Sequence, residues 1–284
     1  MLNFTNKVAV VTGGASGIGR ATVKTLASLE ANVVIADIDE KNAGTLIDEC
    51  ADLPGKVVFC STDILHEEQI ANMISHALSS FGRIDILHNN AGVPRSRAPD
   101  CEITDMTVEW WHRTIDAHLT SAMLGCKYAL PHMITNGGGV IVNTSSSAAA
   151  DATVDLPAYS SAKAGLHQLT REVAATYGRD NVRCNAVVPG LVLTERGRAT
   201  LPAEQIKLFA AQTPLPYLAE AQDIANVVVF LASDASRMIN GECLRAEGGM
   251  MIKLPYWESK LKASRGPSFS RKAYRDTRPA KSAG

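Results

Sequence analysis

Short β-branched runs recur along the chain and alternate with longer stretches in which apolar residues fall three and four positions apart. The runs are Val8-Ala9-Val10-Val11, Val33-Val34-Ile35-Ala36, Val57-Val58-Phe59, Ile84-Asp85-Ile86-Leu87, Val140-Ile141-Val142 and residues 182–188, with a last one at Glu242-Cys243-Leu244-Arg245. Near-continuous apolar runs of this length are the pattern of parallel strands buried on both faces. Between them the spacing predicts helices near 17–30, 40–52, 66–81, 105–134, 158–178 and 220–232. Right-handed crossovers place such helices on both sides of one sheet. No linker or repeat divides the chain. The pattern therefore predicts one doubly wound α/β domain over 1–252, with a lid-like insertion around 191–218 and an extension over 253–284.

Composition narrows the class. Of 284 residues, 46% are hydrophobic and 20% charged, a globular balance able to bury a substantial core. No apolar run approaches the ~18 residues of a membrane span and residues 1–7 hold no apolar signal core, so a cytoplasmic protein without a membrane partner is expected. Six cysteines lack C-x-x-C spacing and seven histidines lack an H-x-x-x-H pair. Buried reduced thiols and no metal site are expected. The net charge of −1 argues against a nucleic-acid partner, yet the chain after Met250 turns basic: Lys253, Lys260, Lys262, Arg265, Arg271, Lys272, Arg275, Arg278 and Lys281 face Glu258 and Asp276. This end reads as an extended or mobile arm that lies over a neighbouring subunit, with a nucleic-acid or anion-binding role as the alternative.

The candidate chemistry lies at two places. Thr12-Gly13-Gly14-Ala15-Ser16-Gly17-Ile18-Gly19 follows the first strand run and opens a helix, as a loop cradling a dinucleotide pyrophosphate does. One glycine turns the strand into the loop, one lets backbone approach phosphate and one lets the helix pack closely. Asp37 ends the second strand. Its carboxylate suits both adenosine ribose hydroxyls and repels a 2′-phosphate, and neither Ser16 nor Ile38 is basic, so NAD is favoured over NADP; capping of the following helix is the plainer role for Asp37. Farther on, Tyr159 and Lys163 stand one helical turn apart, with Ser146 thirteen positions before the tyrosine. A phenol with an ordinary pKa near 10 must ionise near neutrality to accept an alcohol proton. A cation at about 4 Å and an effective dielectric near 20 supplies the roughly 4 kcal/mol that three pKa units require.

Together these residues resemble the short-chain dehydrogenase/reductase family, in its non-extended TGxxxGxG and Y-x-x-x-K branch, from Lys7 to about Ile252. The resemblance rests on the glycine loop, Asp63 after the third strand, Asn89-Asn90-Ala91-Gly92 after the fourth, Ser146, Tyr159 with Lys163, and Pro189-Gly190 with Thr194 after the sixth. It implies a Rossmann-type sheet, a nicotinamide cofactor and hydride exchange with a secondary alcohol or ketone. Tyr159 is then the general acid/base, Ser146 orients the substrate oxygen and Lys163 also bonds the nicotinamide ribose; Ser145 is the fallback for Ser146. The implied cofactor contacts are Gly13, Ser16, Gly17, Ile18, Gly19, Asp37, Asp63, Ile64, Asn90, Ala91, Gly92, Tyr159, Lys163, Pro189, Gly190, Val192 and Thr194. The family's catalytic asparagine is replaced by His118, an imidazole that relays a proton or fills the space passively. A homotetramer built on the helices near 105–134 and 158–178, with the last strand near a further interface, is also implied, and a dimer is the alternative.

By analogy, Pro94, Ser146, Ser147, Thr153 and Tyr159 face the substrate, with the insertion as a lid. Its apolar residues Leu191, Leu193, Leu201, Ile206, Leu208 and Phe209 line the cavity or pack the lid onto the body. A medium-sized hydrophobic secondary alcohol (steroid, terpenoid or aryl) is the preferred substrate class. Arg95 and Arg97 keep an anionic hydroxy acid, sugar acid or 3-oxoacyl thioester open. An NAD-binding scaffold that works through its basic tail is the reading from another class.

Overall fold

The computed structural model describes residues 2–94 and 99–265. Seven strands form one parallel sheet: β1 (Val8–Thr12), β2 (Asn32–Asp37), β3 (Val57–Ser61), β4 (Ile86–Asn89), β5 (Gly139–Thr144), β6 (Val182–Pro189) and β7 (Cys243–Ala246). Their order is β3-β2-β1-β4-β5-β6-β7, so the winding reverses between β1 and β4. Ligand crevices of open parallel sheets lie at the carboxyl ends of the strands at such a reversal. Every predicted strand run forms a strand, with shifted ends: Ile84 and Asp85 precede β4 rather than open it.

Alternation along the strands divides the core in two. Ala9, Val11, Val33 and Ile35 pack beneath α1 (Gly17–Ser28) and α9 (Ala221–Ala232), with Ala43 and Leu46 of α2 (Glu40–Glu49) in the same layer. Val8, Val10, Val34 and Ala36 face α3 (Glu67–Phe81), α5 (Ser121–Thr135) and α6 (Pro157–Tyr177). Burial on both faces explains why the runs carry so few polar positions.

Two departures from the sequence pattern, and the expected short helices of the insertion, bear on the site. The helix expected over 105–134 is α4 (Val108–Ile115), a π-helical turn (Asp116–Thr120) and α5. Apolar spacing continues across the distortion, so periodicity alone cannot find it. The insertion forms two short helices, α7 (Glu195–Thr200) and α8 (Ala203–Gln212), tied back by a Val192–Ala219 bridge and by the Arg198–Glu220 ion pair at 2.7 Å. The start of the basic extension is helical rather than extended: α10 (Trp257–Arg265) follows Lys253, whose ammonium lies 5.7 Å from the Trp257 ring centroid. Its i, i+4 pair Trp257 and Leu261 is half-buried, and the surrounding charge hid this short period. Arg271, Lys272, Arg275, Arg278 and Lys281 lie outside the described residues, as do Arg95 and Arg97.

Asn143 fixes α6 against the sheet. It is fully buried, accepts from Asn89 Nδ2 at 2.9 Å and donates to Thr170 Oγ1 at 2.9 Å, tying β4, β5 and α6 together. Asn143→Leu strands the Asn89 amide donor and should cost about 2–4 kcal/mol in urea unfolding. Combined with Thr170→Val, the loss should be less than the sum of the two; strict additivity refutes the shared network.

Candidate active site

At the end of β1 the chain turns through Gly13, whose φ is +64°. Ser16 occupies the cap position of α1, but its side chain makes no capping bond, so the first-turn N–H groups of Gly17, Ile18 and Gly19 stay open toward the groove. A side chain at Gly19 would place Cβ 2.1 Å from the Gly13 carbonyl oxygen, so only glycine lets the loop close on the helix. An uncapped helix N-terminus behind a loop of this shape is an anion site. Thr12 holds the loop to the segment after β4: its Oγ1 accepts from Asn90 N at 2.9 Å and Ala91 N at 3.0 Å, while Asn90 Nδ2 donates to the Thr12 carbonyl at 3.0 Å.

One groove is lined by Gly13, Ser16, Asp37, Asp63, Ile64, Ala91 and Gly92, with Pro94 at its wall. Asp37 accepts from Ala15 N at 2.9 Å and Asp39 N at 3.0 Å, leaving acceptor capacity on a carboxylate with about four lone-pair sites. Asp39, not Asp37, caps α2 by accepting from Asn42 N at 3.0 Å. The plainer role considered for Asp37 thus belongs to its neighbour. Across the groove, Pro189 ends β6, Gly190 packs against Glu247, Val192 makes the bridge to Ala219, and Thr194 caps α7 while its methyl meets Gly17. Arg196 also reaches the groove from α7, a contact that no sequence motif marked.

The proton-handling residues meet at the carboxyl end of β5. Lys163 is buried and donates to the Thr144 carbonyl at 2.7 Å. Desolvation lowers its pKa to about 8. The half-buried Tyr159 phenol is pushed up by burial and drawn down by a hydrogen bond with Ser146. Lys163 Nζ lies 5.7 Å from the Tyr159 ring centroid, and its hydrogen bond anchors it on the Thr144 carbonyl. Ser146 also accepts from Ala148 N at 3.2 Å. Ser145 is buried and paired with His167 Nε2 at 2.7 Å, which removes it as the fallback. Ser147 opens a short 3-10 turn below Ser146, and Thr153 is exposed with its hydroxyl 3.1 Å from Ser160.

His118 sits on the π turn. Its ring stands edge-on to Tyr159, 4.9 Å between centroids, and hydrogen-bonds the Val93 backbone. A Cβ on Gly92 would fall 2.6 Å from its Cε1, so the imidazole fills the space that a side chain there would need. Burial first, then the Lys163 charge, lowers its pKa to about 3, and its Nδ1 has no hydrogen-bond partner. A cavity of about 10 Å³, room for about one water, lies between Asn89, His118, Ser121 and Lys163.

A family model described as Enoyl-(Acyl carrier protein) reductase matches residues 13–251. A cis-4-hydroxycyclohexanecarboxylate dehydrogenase from Sinomonas cyclohexanicum is 39% identical over 246 residues, covering 87% of this chain and 97% of the relative. The chain is a short-chain dehydrogenase/reductase. A solved short-chain type dehydrogenase/reductase from Mycobacterium ulcerans superposes with a TM-score of 0.84 at 30% identity, over 94% of this chain and 98% of that one. A 7α-hydroxysteroid dehydrogenase complexed with NADH and 7-oxo glycochenodeoxycholic acid superposes at 0.82 and 32% identity, over 87% and 95%. Among the family's variants this chain has the short Y-x-x-x-K spacing, which puts phenol and ammonium on one face of α6.

Two buried imidazoles make this dehydrogenase/reductase acid-sensitive. His88, bonded through Nε2 to Thr144 Oγ1 at 2.8 Å, is held by desolvation at about 3, like His118. As pH falls from the ordinary histidine value near 6.5, the unfolded chain takes up protons that the folded chain refuses. Stability supplied by the neutral rings is complete above about pH 6.5 and is lost toward the folded value, at up to about 1.4 kcal/mol per pH unit for each. Urea midpoints should fall from pH 7 to pH 5, with a shallower slope in His118→Asn; an unchanged slope refutes the assignment.

Proposed function

We propose that the protein is an NAD-dependent oxidoreductase that interconverts a medium-sized, ring-bearing hydrophobic secondary alcohol and its ketone. The observation that carries this reading is the meeting of Tyr159, Ser146 and Lys163 beside a groove whose far wall holds Asp37 and the open N-terminus of α1. The residues fit a dinucleotide: backbone donors for the pyrophosphate, a carboxylate with spare acceptors for ribose hydroxyls, and Lys163 and Tyr159 for the second ribose. When bound, the nicotinamide supplies the hydride acceptor or donor at its C4.

In the oxidative direction the Tyr159 oxygen takes the hydroxyl proton as hydride leaves the carbinol carbon; in reduction it returns that proton to the carbonyl oxygen. Ser146 holds the substrate oxygen. The Ser146 hydrogen bond partly offsets the burial that raises the phenol, and on this reading the nearby Lys163 ammonium favours the phenolate through its charge. His118 stays neutral, because charging it at pH 7 runs about 4 pKa units, or roughly 5 kcal/mol, uphill. Its part is then passive: it holds the Gly92–Val93 turn and the edge of Tyr159, while the small cavity beside Lys163 has room for a water on the proton's way out.

For the substrate, the lid offers exposed apolar surface at Leu208, Leu215 and Tyr217, while Leu193 and Leu218 pack inward. The buried pair supports packing of the lid on the body, one of the two roles weighed for its apolar residues. The relatives named for a hydroxycyclohexane and a hydroxysteroid support a cyclic alcohol. Their names also include a carboxylate and a bile acid, which favours as a second reading a substrate with a distal carboxylate. The scaffold reading is disfavoured by the intact trio. The apolar groove of Leu130, Pro131, Ile134, Leu169, Val173 and Tyr177 supports association of copies through α5 and α6, as a dimer or as the expected homotetramer.

Two experiments test the reading. Single-turnover reduction of NAD⁺ and NADP⁺ by apolar, aryl and carboxylated cyclic alcohols should give signal with NAD⁺, abolished by Tyr159→Phe while NAD⁺ still binds. Tight binding with silence across the panel would support the scaffold instead. His118→Asn should keep turnover within a few-fold; a fall of about a hundredfold, the scale of a lost acid–base group, refutes the passive role.

A further inference from the structure

Helix α6 begins at Leu156-Pro157, a sequence that cannot cap itself. Leu156 stands at the cap position without an acceptor side chain, and Pro157 has no N–H, so the open donors of the first turn begin with Ala158 and Tyr159. Both are taken from far away in the chain. Asp100, in the segment between β4 and α4, accepts from Ala158 N through Oδ1 at 3.3 Å and from Tyr159 N through Oδ2 at 2.8 Å. Its carboxylate is buried, with 6% of the residue exposed.

We infer that Asp100 is a positioning residue for the reaction: its carboxylate, brought from the segment after β4, fixes the first turn of α6 and thereby the backbone from which the Tyr159 phenol projects. Two features support this. The acceptor bonds the N–H of Tyr159 itself, so the restraint acts one residue's length from the reacting group. The opposite side of that turn is held independently, by Ser146 on the phenol and by Lys163 on the Thr144 carbonyl, so the carboxylate closes the remaining degree of freedom. Loss of the carboxylate therefore loosens the phenol without removing any group that touches the cofactor.

The inference rests on the proposed reading of Tyr159 as the acid/base, and its test separates the two. Asp100→Ala should lower kcat about 10- to 100-fold, the scale on which a misplaced reacting group loses rate, while the Kd for NAD⁺ stays within about threefold. Moving the carboxylate to the ordinary cap position, in Asp100→Ala/Leu156→Asp, should restore kcat to within about threefold of the parent. If Asp100→Ala does not fold, Asp100→Asn keeps one acceptor and should give a smaller fall in kcat. A kcat within twofold of the parent in the folded single variant, or a loss that Leu156→Asp does not relieve, overturns the inference. If the parent oxidises no secondary alcohol, the functional reading is what has failed. Amide exchange at Tyr159 then decides the capping alone: it should quicken in Asp100→Ala and slow again in the double variant, and unchanged exchange overturns it.

Discussion

The site depends on the seam between the end of β5 and one face of α6. Four consecutive residues of the strand end pair with the helix: Asn143 with Thr170, the Thr144 carbonyl with Lys163, Ser145 with His167 and Ser146 with Tyr159. Tyr159, Lys163 and His167 are spaced by four, the interval that returns to the same face of a helix. A strand leaving the sheet thus meets a helical stripe in register. Burial makes the register matter, because a buried ammonium or amide without its partner costs more than the bond itself contributes. A shift of α6 by one residue would strand several polar groups at once.

Much of this was legible in the chain because it is local. The strands show as β-branched runs, the glycine loop as a strand-to-helix junction, and the Tyr159–Lys163 pair as one helical turn. What escaped is either non-local or lies within an unbroken period. The π turn at Asp116–Thr120 keeps the apolar spacing of the helices that flank it. Asp100 reaches the first turn of α6 across 58 and 59 positions, with no pattern linking the two. His167 reads as one more polar residue on a long helix until Ser145 is seen beside it. The anchor of the ammonium escaped for a related reason: spacing places two side chains on one face, but a carbonyl that neither motif names holds the ammonium.

The neutral imidazole at position 118 makes sense beside that ammonium. A second cation next to Lys163 would raise the cost of both, and Lys163 already sits in surroundings that lower its pKa to about 8. Desolvation resolves the competition in favour of the amine, whose ordinary value is higher by about four units. On the proposed reading the ring is an uncharged filler between Gly92 and Tyr159. It bonds the Val93 backbone, and it excludes any side chain at Gly92, so the turn after β4 and the phenol are spaced by one imidazole.

The groove's other end carries the opposite sign. Asp37, Asp39 and Asp63 line it together, while Arg196 approaches from α7 on the lid. On the proposed reading, a ribose bearing free hydroxyls finds acceptors there, whereas a 2′-phosphate would bring about two more negative charges among three carboxylates. Arg196 does not reverse that balance, because it is exposed and moves with a lid tied down elsewhere, at Val192–Ala219 and Arg198–Glu220. An exposed guanidinium is screened by solvent, and the carboxylates, fixed by the strand ends and by the cap of α2, are not free to turn away. The proposed preference for the unphosphorylated dinucleotide therefore rests on which charges the fold holds rigidly.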